Sequence, residues 1–265
     1  MPAEKTEPRS PIKEPLPRLP GQSGQEKLDE IVTDLTALGV LVIFAVLVAG
    51  LEWLRWAFNV PPSPVLATVA AVGIAAFAFL KYKQVRPAAK QEVLGIQGEQ
   101  SVAETLGELG PSGYRAFHDI LGDGFNIDHA LIGPTGVYAI ETKARTKKGG
   151  AEEKVVYDGT RIFVNGHVPD RDPLAQAEAN VKTLAKILKE RTGITVAPRG
   201  VVLFPGWWVE EKAKQPKVWV LCPKRLRVWL SNEPNRLSAD EIRRLADGLT
   251  RHQQTEQRVK AAMAK

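Results

Sequence analysis

Two long apolar stretches stand out near the start of the chain. No charged residue occurs within residues 35–51, and none occurs within residues 56–80. As a helix, each stretch is about as long as the hydrocarbon core of a bilayer is thick. The pattern predicts a transmembrane hairpin of two helices, at about residues 35–54 and 63–81. A buried helix pair in a soluble domain is the alternative interpretation.

The segment between the two stretches fits a membrane hairpin. It contains two tryptophans, which suit the membrane interface, and three prolines, which stop a helix from running through: Trp53, Trp56, Pro61, Pro62 and Pro64. Residues 81–90 carry four Lys or Arg and no acid, whereas the loop carries only Arg55. By the positive-inside rule, we expect a two-pass inner-membrane protein with both termini in the cytoplasm.

After residue 90 the pattern becomes that of a globular domain. Residues 98–109 have apolar positions at helical spacing, with Gly98 near the expected helix start. Residues 114–121 resemble a strand. Residues 127–132 and 137–143 predict a hairpin of two half-buried strands, because β-favouring residues alternate on both sides of a Gly-Pro-Thr-Gly turn.

The remaining elements alternate between strands and helices. Asp158-Gly159 predicts a second hairpin within residues 153–166. Ser238, with Glu241 three residues later, predicts a helix that starts with a capping box. Between them we expect a helix and three strands, at residues 173–191, 199–204, 217–221 and 226–230. This order predicts an α/β fold.

Length and composition set the domain organisation. The 265 residues leave room for a globular domain and additional segments. Six prolines in the first 20 residues predict a disordered tail over residues 1–30, which lacks the features of a signal peptide. The membrane hairpin then covers residues 31–90, the globular domain residues 91–205, and a basic extension with a terminal helix residues 206–265.

The sequence excludes some classes of site and permits others. A single cysteine, Cys222, excludes a disulfide framework and a Cys-based zinc site, and four histidines argue against a His cluster. The net charge of +6 permits an anionic partner. Residues 205–265 carry thirteen basic and seven acidic residues, so much of the positive charge lies in the C-terminal extension.

Asp128, Glu141 and Lys143 form the most informative group of polar residues. Glu141 and Lys143 lie two apart on one strand, so they project to the same face, and Asp128 on the paired strand can join them. Two carboxylates and a backbone carbonyl, here that of Thr142, suit Mg²⁺, while the lysine can stabilise charge during phosphodiester hydrolysis. The same pattern also fits an exposed strand end with a solvated ion pair.

Several ordered motifs resemble the nuclease-related domain (NERD), a branch of the PD-(D/E)xK superfamily of restriction-endonuclease-like folds. They are GIQGEQSVAETL, FHDIL, NIDHALIGPTGVYAIETK and PLAQAEANVKTL, within residues 95–205. The resemblance implies a mixed sheet flanked by helices. It also implies Glu99, Asp128 and Glu141 as acids that bind or neighbour a Mg²⁺ or Mn²⁺ ion, and Lys143 as the catalytic lysine.

The same resemblance implies further properties. Gln176 and Asn180 lie near the site in the family, and helical spacing puts both on one face; an exposed polar face is the alternative.

The leading hypothesis is a metal-dependent nuclease that acts on DNA and is anchored to the bilayer. A catalytically weak nucleic-acid-binding module and a membrane scaffold are the alternatives. Restriction-endonuclease-like folds often form homodimers for double-strand cuts, which is family analogy.

Other candidate residues have weaker support. His129 should face away from Asp128 and is expected to have a structural or substrate-side role. Lys147 and Lys148 belong to a basic loop that suits phosphate contact or simply solvent. The C-terminal helix has both an apolar stripe and a basic face. Four tryptophans are interpreted as core or sheet-covering residues rather than base-stacking residues: Trp207, Trp208, Trp219 and Trp229.

Overall fold

A computed structural model of the chain describes residues 18–58, 60, 63–122, 124–147 and 153–263. The chain divides into two compact units. A helical unit comprises residues 22–97, and a globular unit combines residues 18–21 with the residues from Gly98 onward. The first 17 residues of the predicted disordered tail lie outside the described residues.

The helical unit is built from two long helices, α1 (Gln22–Ala57) and α2 (Pro64–Gly107), the last ten residues of α2 belonging to the globular unit. Both helices are long and apolar enough to cross a membrane. The Trp53 indole nitrogen donates to Thr68 Oγ1 at 3.1 Å. Near the other ends, Lys27 Nζ lies 3.7 Å from Glu92 Oε1. The two helices therefore run antiparallel.

Both helices extend beyond the predicted boundaries. Helix α1 begins at Gln22, inside the segment for which the sequence predicts a disordered tail. Its first turns are polar residues that continue the helix ahead of the apolar stretch. Helix α2 continues past residue 81 and accommodates Pro87. Gly98 therefore lies inside a long helix rather than at the start of a new one.

The larger sheet of the globular unit contains five strands in the order β1-β2-β3-β6-β8. The first three strands form an antiparallel meander, whereas β3, β6 and β8 are mutually parallel neighbours. The sheet is therefore mixed. The strands are β1 (Arg115–Leu121), β2 (Asn126–Gly133), β3 (Gly136–Thr142), β6 (Arg199–Leu203) and β8 (Val218–Leu221).

A smaller sheet has three strands in the order β5-β4-β7. Strands β4 (Lys154–Tyr157) and β5 (Ile162–Val164) form the predicted Asp158-Gly159 hairpin. Strand β7 (Trp208–Glu211), which the sequence pattern did not predict, adds to β4 in parallel. Its four residues are too few for periodicity to distinguish a strand from a loop.

Helices cover both faces of the larger sheet. Helices α3 (Pro173–Thr192) and α5 (Ala239–Met263) pack on one face through residues such as Leu184 and Leu245. The end of α2 and helix α4 (Pro223–Ser231) pack on the other face through residues such as Val102 and Leu226. A short 3-10 turn follows α2 at Gly110–Ser112. The α/β class, with a mixed sheet flanked by helices and preceded by two long apolar helices, is confirmed.

Helix α4 corrects the prediction of a strand at residues 226–230. Leu226 and Leu230 are buried four residues apart, which is the spacing of one helix face. Pro223 occupies the first turn, where a missing N–H costs nothing. Val228 and Trp229 gave this segment a strand-like composition, but the helical spacing of the leucines determines the structure.

Glu211, at the end of β7, is expected to make the stability of the fold depend on pH. Both carboxylate oxygens are buried, and burial raises the pKa of Glu211 from 4.5 to about 7. A raised folded-state pKa favours folding at low pH, so stability falls as the pH rises from 4.5 through about 7. Glu211→Gln should remove this fall. Chemical denaturation of the wild type and of Glu211→Gln across that pH range checks this expectation. Stability curves that run parallel for the two proteins would contradict it.

Candidate active site

Asp128 and Glu141 come together because β2 and β3 form an antiparallel pair. The register aligns His129 with Ile140, so its continuation by one residue places Asp128 opposite Glu141. The pairing of β2 with β3 ends at this point, where a side chain of β2 rather than a backbone carbonyl accepts a hydrogen bond from β3. Asp128 Oδ2 accepts from the Thr142 backbone N–H at 2.7 Å. The sequence-predicted proximity of these residues is thus observed in the fold.

Glu141 is held on both sides of its carboxylate. Lys143 Nζ donates to Oε1 at 2.6 Å, and Asn180 Nδ2 donates to Oε2 at 2.7 Å. Asn180 reaches Glu141 because α3 packs across the face of β3. The Glu141 side chain is 8% exposed and that of Lys143 is 18% exposed. The carboxylate is therefore fixed inside the fold, while the Lys143 side chain remains partly exposed to solvent.

Asp128 lies in a site with an excess of negative charge. Burial, followed by the charges of Glu141 and Glu99, raises the pKa of Asp128 well above its ordinary value. The Thr142 N–H and the Lys143 ammonium offset part of this effect. Glu99, on the last turns of α2, is thus an electrostatic neighbour of Asp128. Asp128 with two acids in electrostatic range forms an environment that a cation would stabilise.

Gln176 lies one helical turn before Asn180 on α3. Its Oε1 is buried without a hydrogen-bond partner in the described structure, and no hydrogen bond joins it to the acids. The Thr142 hydroxyl is also buried without a partner there. The predicted contributions of Gln176 and of the Thr142 carbonyl remain predictions.

The donor set fits Mg²⁺ or Mn²⁺ in chemistry. Asp128 and Glu141 supply carboxylate oxygens, which these hard cations prefer. Burial is the largest cause of the raised pKa of Asp128, and the charges of Glu141 and Glu99, which add to it, are ones that a divalent ion would offset. Within the described residues, no group of three or more His, Cys, Asp or Glu side chains is arranged to hold a metal. The two carboxylates with the Thr142 carbonyl are the candidate ligands, and the predicted role of Glu99 as a further acid at the metal remains a prediction.

Gly98 contributes to the site in a way that the sequence did not indicate. A Cβ atom at this position would lie 2.6 Å from Ala144 Cβ and 3.5 Å from Thr142 Cγ2. Only a glycine lets helix α2 pack this closely against the chain that leaves β3. The absence of a side chain at Gly98 therefore helps to fix the strand end that carries Glu141 and Lys143.

Gly98→Ala is expected to destabilise the globular unit by about 1–3 kcal/mol, because the extra methyl group overpacks this contact. Thermal unfolding measures the effect. Gly95→Ala is the matched control on the same helix, because nothing lies within 4 Å of a Cβ there. Equal melting temperatures for the Gly98→Ala variant and the wild type would contradict this role.

The other candidate residues divide between core and surface. His129 is fully buried, and its Nδ1 lies 2.8 Å from His118 Nδ1. Burial and the neighbouring His118 lower the pKa of His129 to about 3, so it remains neutral. These contacts fit the structural role expected for His129. Of the basic loop, Lys148 lies outside the described residues.

The C-terminal helix and the tryptophans are also placed by the structure. The apolar stripe of α5 is buried, and its arginines are exposed. Trp207 and Trp219 are each 3% exposed, as the core interpretation predicted. Trp208 is 66% exposed, so it is not a core residue and lies instead on the outward face of the smaller sheet. It occupies the outward position of a strand whose next residue, Val209, is buried.

Comparison with protein families supports a nuclease-related fold for this site. The family described as the nuclease-related domain matches residues 94–205, which include Glu99, Asp128, Glu141, Lys143 and Asn180. No curated protein and no solved structure matches the chain. The matched residues begin in the last turns of α2 and end just after β6. Residues 94–205 of this chain therefore form a nuclease-related domain, NERD.

Proposed function

We propose that this chain is a membrane-anchored, metal-dependent nuclease that hydrolyses phosphodiester bonds of DNA at the cytoplasmic face. One observation carries the proposal: Asp128, Glu141 and Lys143 converge at the end of β3 within a nuclease-related domain. A solvated ion pair at a strand end would not need a buried glutamate tied to a second element. Here Asn180 of α3 fixes Glu141, as a positioned catalytic group requires.

The residues of the site have different roles in the proposed reaction. A Mg²⁺ or Mn²⁺ ion held by Asp128, Glu141 and the Thr142 carbonyl would polarise the scissile phosphate and acidify the attacking water. Asn180 and the Thr142 N–H orient the two carboxylates. Lys143 compensates the negative charge that grows on the phosphate oxygens in the transition state. Its 18% exposed side chain is accessible to a substrate that approaches from solvent.

The surface of the helical unit supports membrane anchoring. Large apolar side chains on both helices are exposed, including Phe44 at 64% and Leu66 at 70%. Such a continuous apolar surface is unfavourable in water and favourable in the hydrocarbon core of a bilayer. Trp53 and Trp56, near the end of α1, suit the interface with the headgroups.

The N-terminal segment supports the proposed topology. Arg18 lies just before α1, and its guanidinium forms a buried ion pair with Asp119 of β1 at 2.6 Å. The residues that precede the first span therefore contact the domain that follows the second span. A chain that crosses the membrane twice has the residues before the first span and the domain after the second span on the same side. The basic residues after the second span favour the cytoplasmic side for both.

A plasmid cleavage assay tests the proposed activity. Full-length protein in detergent micelles is incubated with supercoiled plasmid in Mg²⁺ or Mn²⁺, and in EDTA as the control. Nicked or linear products that form with metal and not with EDTA support the nuclease. Tight DNA binding without cleavage in any metal would instead favour the catalytically weak binding module.

Alkaline carbonate extraction and a reporter fused after the C-terminus test the anchor. The protein should remain in the membrane pellet, and the reporter should give a cytoplasmic signal. Recovery of the full-length protein in the soluble fraction would contradict the anchoring. A reporter signal from outside the cytoplasm would contradict the topology.

A further inference from the structure

The smaller sheet has one buried face and one outward face. Val155 and Val209 are buried against the core, and their neighbours in sequence, Lys154 and Trp208, alternate to the opposite face. The register pairs Lys154 directly with Trp208. Phe163, half-buried on β5, lies on this same face because it pairs with the outward-facing Val156.

Trp208 is unusually exposed on this face. Its 66% exposure contrasts with the 3% exposure of Trp207 and of Trp219, and Trp229 is half-buried. Of these four tryptophans, Trp208 is therefore the one whose ring lies mostly in solvent. An exposed aromatic ring on a sheet face is the arrangement on which nucleic-acid bases stack.

This outward face begins beside the candidate active site. The Trp207 indole nitrogen donates to the Arg145 carbonyl at 3.2 Å, and Arg145 lies two residues after Lys143. Lys143 itself donates from its backbone N–H to Leu203 O at 2.8 Å, at the end of β6. Trp208 therefore follows a segment that is hydrogen-bonded to the chain leaving Glu141 and Lys143.

The surroundings of Trp208 contain cations within reach of a phosphate. Three lysines, Lys143, Lys147 and Lys154, form ion pairs with Glu141, Glu153 and Glu210, with N–O distances of 2.6, 3.8 and 3.2 Å. The pairs of Lys147 and Lys154 are partly exposed, and such pairs contribute little to stability, so these lysines can turn to a phosphate. Arg145 and Lys147 are exposed. Phosphates of a nucleic acid could follow these cations from the acids to the sheet face.

We infer that the outward face of the smaller sheet, centred on Trp208, binds an unpaired nucleotide of the substrate by stacking on its base. This inference rests on the proposed nuclease function and narrows the substrate to nucleic acid with a single-stranded portion near the cleavage site. Duplex bases stack on each other and leave no face for the indole, whereas an unpaired base offers one. Lys154 and Arg145 contact the phosphates that flank it.

The test measures binding separately from cleavage. Full-length protein in detergent and EDTA is titrated into labelled single-stranded oligonucleotide and into duplex of the same length, with anisotropy as the readout. Trp208→Ala should weaken single-strand binding about tenfold, the size expected for loss of one stacked base. It should leave duplex binding close to that of the wild type. Trp208→Phe should retain most of the single-strand affinity, because the phenyl ring can still stack.

Val228→Ala is the matched control, since Val228 is an exposed apolar residue on α4, 59% accessible, and should change neither affinity. A second measurement does not depend on any variant: an oligonucleotide with a photoreactive pyrimidine should cross-link to the peptide that contains Trp208. Wild-type single-strand affinity in Trp208→Ala, or equal losses for both substrates, would overturn the stacking site while leaving the nuclease proposal intact. Failure of the wild type to bind any nucleic acid would overturn both.

Discussion

Replacing Lys143 by alanine is expected to lower the rate of nucleic-acid cleavage about 100-fold or more while leaving metal binding in place. The Lys143 ammonium lies 2.6 Å from Glu141 Oε1 and remains partly exposed, so it can also face a substrate phosphate. Alanine removes this positive charge. Both proposed carboxylate ligands, Asp128 and Glu141, stay in the protein.

Two measurements on the same protein separate these effects. Calorimetric titration with Mn²⁺ measures metal binding, and single-turnover cleavage at saturating Mn²⁺ measures the reaction. Lys212→Ala is the matched control, because Lys212 is a lysine paired with a glutamate, Glu210, at 3.4 Å outside the site. Cleavage by Lys143→Ala at the wild-type rate would remove this lysine from the mechanism.

Asp128→Asn is expected to stabilise the metal-free protein while abolishing its activity. Asp128 is half-buried near Glu141 and Glu99, and desolvation together with these charges raises the pKa of its carboxyl well above the ordinary value. Asparagine can still accept the Thr142 hydrogen bond, but it introduces no charge among the other acids. A gain in the free energy of unfolding follows, because the variant no longer places a charge beside the other acids.

Thermal unfolding in EDTA and in Mn²⁺ checks this prediction. In EDTA the variant should melt above the wild type. In Mn²⁺ the wild type should gain stability through metal binding, and the variant should gain little. Asp158→Asn is a control of opposite sign, because backbone N–H groups of Thr160 and Arg161 lower the pKa of Asp158 and favour its charge. A metal-free Asp128→Asn variant that melts below the wild type would contradict the account.

The sequence predicted the parts of the fold that depend on local signals. The helix predicted at residues 173–191 forms as α3 (Pro173–Thr192), which Asp172 caps at its start and Gly193, in the left-handed conformation, follows at its end. The Ser238 and Glu241 capping box forms as expected, with Ser238 N–H donating to Glu241 at 2.9 Å. The pairing of Asp128 with Glu141 was also predictable, because a short turn fixes the register of the hairpin.

The parts that sequence reasoning missed depend on contacts between distant segments. The ion pair of Arg18 with Asp119 spans 101 positions, and no local pattern encodes it. Gly98 resembled a helix start, but its role depends on the approach of Ala144. Strand β7 exists because β4 offers it an edge. Tertiary packing determined each of these features, which periodicity and capping signals do not report.

Plasmid cleavage by the Glu141→Gln variant tests the central claim most directly. Glutamine keeps the shape of the side chain and can still accept the Asn180 hydrogen bond, but it lacks the negative charge that a divalent cation requires. The wild type should cleave supercoiled plasmid in Mg²⁺ or Mn²⁺, and the variant should lose this activity about 100-fold or more. Cleavage by the Glu141→Gln variant at the wild-type rate would contradict the assignment of this site as a metal-dependent nuclease.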